Sequence, residues 1–62
     1  MTASEERWAE ALIIERRHGD RALKWVAGEA ARFGHLGDEA GVDRMREIWT
    51  CLMRLAVDRP LH

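Results

Sequence analysis

Arg16-Arg17-His18-Gly19-Asp20-Arg21-Ala22 and Gly34-His35-Leu36-Gly37-Asp38-Glu39-Ala40 decide how this chain is divided. The first places Arg16, Arg17 and His18 before Gly19, the second places His35 before Gly37, and in each an aspartate follows the glycine. Cations favour the negative C-terminal end of a helix, glycine can take the left-handed conformation that ends one, and aspartate can cap the next. The repeated Gly-Asp punctuation predicts three helices joined by two tight turns, with antiparallel neighbours. Outward from there, Thr2 and Glu5 have the spacing of a capping box, so the first helix runs from about Ala3 to Arg17. The second runs from Arg21 to His35. The third runs from Glu39 to about Val57 and stops before Pro60, because a residue preceding proline is forced out of the helical region; Leu61 and His62 are expected to fray. No hairpin signal occurs. The expected fold is an all-α three-helix bundle, with residues 1–62 forming a single domain.

The 62 residues carry ten Lys and Arg against eleven Asp and Glu, a net charge of −1 that creates no general attraction to nucleic acid or anionic lipid. A chain this short buries only about 60% of the surface it exposes when unfolded. Its single cysteine, Cys51, excludes an internal disulfide, and no zinc-ligand spacing is present. No apolar run approaches the roughly 20 residues of a membrane span, and the charged N-terminal stretch lacks a signal core. The cytoplasm is therefore the expected compartment.

At about 100° per residue, the second helix gathers Ala22, Leu23, Val26, Ala27, Ala30, Ala31 and Phe33 on one side, with Arg21, Lys24, Arg32 and His35 opposite. Trp25 and Leu36 fall outside this stripe, forming an expected patch for a protein partner, the alternative being that Trp25 folds back along the bundle edge with Arg21 or Arg32 on its ring. The third helix spreads Val42, Met45, Ile48, Trp49, Leu52, Met53, Leu55 and Ala56 over about 160°, more than the ~100° one core requires. Cys51 extends that arc, and Glu39, Asp43 and Glu47 form an acidic ladder expected to face solvent. In the first helix, Trp8, Ala9, Leu12 and Ile13 lean to one side while Ile14 points nearly opposite. This excess apolar width predicts a homo-oligomer, first of all a dimer, with Ile14, Val42, Trp49 and Met53 in the self-association surface.

Chemistry-bearing motifs are sparse. His18 and His35 sit where histidine caps helix carbonyls, and no histidine has a partner four residues away on one face; a metal is not expected. Cys51 has no histidine near it in sequence and lies on an apolar flank, as a small buried hydrophobe does. Neither a catalytic residue nor a cofactor site is expected. The helix, tight turn and helix outline also fits a DNA-binding helix-turn-helix, but Asp38, Glu39 and Asp43 put carboxylates at the end that would meet phosphates, so nucleic acid is disfavoured.

"RWAEALIIERRHGDRA" (residues 7–22) and "GDEAGVDRMREIW" (residues 37–49) resemble a group of short, uncharacterised alphaproteobacterial proteins. The shared positions are Arg7, Trp8, Ala9, Ala11, Leu12, His18, Gly19, Gly37, Asp38, Gly41, Val42 and Ile48. The resemblance implies a helical fold and a bacterial source, and it carries over no functional residue. The functional expectation is a non-enzymatic helical interaction module that self-associates and binds an unidentified protein. The alternatives are a DNA-binding regulator of helix-turn-helix type and an accessory subunit of a larger enzyme.

Overall fold

The computed structural model describes residues 2–58. Three α-helical segments occur in it: α1, Ala3–His18; α2, Ala22–His35; and α3, Glu39–Asp58. Gly19–Arg21 forms a single 3₁₀ turn between α1 and α2. The all-α expectation holds, but the three-helix bundle does not. The chain forms two helical bodies, Ala3 through His35 joined by the 3₁₀ turn, and α3. The proposed stop before Pro60 and the fraying of Leu61 and His62 lie outside the described residues.

Hydrogen bonding explains the difference between the two Gly-Asp sites. At the first, Gly19 bends the chain with φ 56°, yet its N–H still donates to the carbonyl of Glu15. The N–H of Ala22 then donates to the carbonyl of Gly19. Helical turns therefore run on without an open loop, and Asp20 lies inside the 3₁₀ turn instead of capping α2. Arg21 takes the cap position with no side-chain hydrogen bond.

The second site is a true stop. Gly37 adopts φ 73°, its N–H donates to Gly34, and the N–H of Asp38 donates to Phe33 at 2.9 Å. This paired arrangement ends a helix by satisfying its last carbonyls. Asp38 then accepts from the N–H of Gly41 at 2.9 Å and starts α3. At the other terminus the capping box forms as its spacing requires: Glu5 N–H donates to Thr2 Oγ1, and Thr2 N–H donates to Glu5 Oε1.

α3 packs on both α1 and α2, whereas α1 and α2 meet only slightly. The core consists of Ala11, Ala22, Val26, Met45, Ile48, Cys51 and Leu52, flanked by half-buried Trp8, Ile14, Leu23, Ala30, Phe33 and Leu55. The resulting body measures 40 × 27 × 17 Å. It contains no buried side-chain polar atom without a partner among the described residues.

The inward face of α1 differs from the sequence expectation. Trp8, Ala11 and Ile14 turn inward, and Leu12 and Ile13 face out. Apolar residues encircle the middle of α1, so helical periodicity alone does not select a face. Ion pairs to α3 accompany the observed choice. Arg7 donates to Glu47 at 2.7 Å and to Glu10 at 2.6 Å, while Arg44 Nε donates to Glu10 at 2.8 Å. Glu39, Asp43 and Glu47 are all exposed, as the acidic ladder requires, and Glu47 also takes part in the contact between α1 and α3.

Candidate interaction surface

α3 is committed to the core along Met45, Ile48 and Leu52, since residues three and four apart share one helix face. Rotated toward the outside are Trp49 and Met53, with Val57 one turn further on. Trp49 is 39% exposed, Met53 43% and Val57 78%. Val42 lies on the same side, half-buried. The broad apolar arc is thus divided, one half filling the core and the other facing solvent. Ile14 does not join it, because its side chain packs against the core.

The expected patch on α2 is also divided. Trp25 stacks on His18 with ring centroids 4.6 Å apart and planes 17° from parallel. This contact links the end of α1 to the first turns of α2. Leu36 is 69% exposed at the turn before α3. Eleven residues of near-helical rise place it about 16 Å along the axis from Trp25, so the two do not form one continuous anchor.

Between them, Arg32 donates to Glu29 at 2.9 and 3.2 Å. That hydrogen bond, reinforced by charge, holds the Glu29 carboxyl below its usual range. The Arg32 guanidinium also lies 4.8 Å from the centre of the Phe33 ring. Phe33 in turn packs beside Gly41 in the first turn of α3.

Cys51 is buried in the core. Burial pushes its thiol pKa up, the charge of Glu47 adds to the rise, and Arg7 opposes it. A raised pKa disfavours the nucleophilic thiolate. No group of three His, Cys, Asp or Glu side chains close enough to hold a metal occurs among the described residues. No described helix is long and apolar enough to cross a membrane.

Sequence reasoning missed the Arg7, Glu10, Arg44 and Glu47 network, whose members are up to 40 residues apart, and the contact between His18 and Trp25. The latter had a weak signal in its spacing of seven residues, two turns of a continuous helix. The glycine between the two residues masks that signal, because a 3₁₀ turn and not an open loop follows it.

A family model described as "Family of unknown function (DUF6961)" matches residues 3–59. The chain belongs to this family. No curated protein and no solved structure matches. The DUF6961 match spans α1, the 3₁₀ turn, α2 and all of α3, so it covers the core and both outward apolar regions. It assigns no activity to either.

Proposed function

We propose that this protein is a non-enzymatic helical interaction module that forms a homodimer through the outer face of α3. The carrying observation is the exposed series Trp49, Met53 and Val57 at four-residue spacing, beside half-buried Val42. Burying a large apolar side chain is worth about 1.5–3 kcal/mol, a substantial gain for a domain whose own core is small. Two-fold pairing would bring the same face of each copy together. Leu12 and Ile13 add apolar area on α1, replacing Ile14 in that role.

Leu36 and the free edge of Trp25 provide separate contacts for a different protein. The proposed setting is the cytoplasm of a bacterium, where a free thiol such as Cys51 stays reduced. DNA regulation is the weaker alternative because Asp38, Glu39 and Asp43 cluster at the start of α3, opposing phosphate approach. An accessory-subunit role would use the same surfaces with an enzyme as the partner.

The test is the solution mass of the chain across a wide concentration range, compared with a Trp49→Glu/Met53→Glu variant. The chain has a mass of 7.2 kDa. The expected result is a concentration-dependent doubling for wild type and a monomer for the variant, with equal helicity. A wild type that stays monomeric throughout, or a variant that still doubles, overturns the proposal.

A further inference from the structure

The junction of α1 and α2 carries a depression of about 520 Å³ lined by His18, Arg21, Lys24 and Trp25. It is a shallow depression open to solvent, so its side chains and not its enclosure distinguish it. Two features distinguish it. First, its lining contains cations and no carboxylate. The depressions beside Leu23, beneath Gly37, beside Cys51 and beside Ile13 each include at least one carboxylate. Neither Arg21 nor Lys24 has an ion-pair partner among the described residues. Second, one wall is the His18 and Trp25 ring stack, with Trp25 37% exposed.

The negative end of α1 meets the positive end of α2 across the 3₁₀ turn, so the side chains set the sign of the local potential. Asp20 faces another way, lining the neighbouring depression with Glu15, Leu52 and Ala56.

We propose that this junction binds a nucleotide, with the phosphate held by Arg21 and Lys24 and the base stacked on the outer face of the His18 and Trp25 pair. The cations supply charge-assisted hydrogen bonds to phosphate oxygens. The near-parallel rings supply a flat surface that a base extends, an interaction tolerant of base identity because every base presents a π-face. A carboxylate ligand uses the cations and leaves the aromatic wall idle. A ligand that joins an anionic group to a planar ring uses both.

The test follows the backbone amide and Trp indole N–H resonances of the full chain during titration with adenosine 5′-monophosphate at fixed ionic strength. Trp25→Phe assigns the relevant indole signal. Inorganic phosphate and adenosine are titrated separately. The expected result is saturable movement of the Trp25 indole and the Arg21 and Lys24 amides in the roughly millimolar range, with phosphate alone and adenosine alone at least tenfold weaker.

An Arg21→Gln/Lys24→Gln variant, altered only at exposed positions, should retain wild-type helicity and bind the nucleotide at least tenfold more weakly. A single-stranded oligoadenylate arm identifies the source. Equal affinity per nucleotide assigns the site to free nucleotide, and affinity rising with length assigns it to a strand. No saturation, phosphate or adenosine binding as well as the nucleotide, or unchanged affinity in the double variant overturns the proposal.

Discussion

Replacing Gly41 by alanine should destabilise this protein even though alanine is the better helix former. Helix propensity alone favours the change by up to about 1 kcal/mol. The space at Gly41 opposes it. A Cβ there would lie 2.7 Å from Phe33 Cγ, 2.8 Å from Phe33 Cδ1 and 2.8 Å from Asp38 Oδ2. The Phe33 ring is half-buried, with Arg32 on it, and would have to retreat to reach ordinary contact distance. Overpacking of this kind costs about 1–3 kcal/mol. The second obstacle is the carboxylate whose other oxygen caps Gly41 N–H, and disturbing a cap costs a further ~1 kcal/mol. The net expectation is a loss of about 2 kcal/mol.

Gly28 is the internal control, since it is helical and nothing lies within 4 Å of an added Cβ. Gly28→Ala should stabilise by about 1 kcal/mol. At roughly 4–8 °C per kcal/mol for a small domain, the two substitutions should move Tm in opposite directions, down by about 10 °C and up by about 5 °C. Circular dichroism melts at one fixed protein concentration measure this while holding any association constant. Adding Phe33→Leu to Gly41→Ala should recover part of the loss. Refutation would be a Gly41→Ala protein as stable as wild type, which would mean that Phe33 does not press α3 at this point.

Ile48 is fully buried at the centre of α3, so Ile48→Ala should cost about 3 kcal/mol and Ile48→Val about 1 kcal/mol in urea denaturation; similar small losses for both would displace it from the core. Arg32 lowers the Glu29 pKa in the folded chain, so this contribution is complete above the unfolded carboxylate value of about 4.3 and disappears as pH falls through the folded value. Glu29→Gln should therefore lose less stability than wild type on acidification, and parallel losses would count against the pair. With its thiol pKa raised by burial and Glu47, Cys51 should react slowly with a disulfide reagent at neutral pH and much faster in denaturant. Glu47→Gln should accelerate the folded-state reaction, because the charge of Arg7 then acts on the thiol without its opposing carboxylate; a slower reaction contradicts this assignment.

Local signals recovered the elements wherever the responsible interactions are close in sequence. The Thr2 and Glu5 capping box, the stop at Gly37 and the Asp38 start of α3 each join groups within a few residues. The same reasoning placed the end of α1 at Gly19 correctly but expected a break capped by Asp20, where a 3₁₀ turn instead joins α1 to α2. The Glu15 and Gly19 carbonyls kept their N–H partners. On α3 the apolar arc was legible, but its partition into buried Met45, Ile48 and Leu52 and exposed Trp49 and Met53 depended on where α1 and α2 cross it.

The sequence by itself determined that this chain is helical, that Thr2 caps the start of α1, and that α3 begins after Gly37. Those outcomes follow from backbone hydrogen bonds and caps within one or two turns. Only the tertiary structure decided that Ile14 faces inward while Leu12 and Ile13 face out, that Arg7 pairs with Glu47, and that His18 lies on Trp25. A helix encircled by apolar residues has no unique inward face until a second helix supplies packing and charge partners. Here that second helix is α3, which crosses both halves of the joined segment and fixes which side chains it buries.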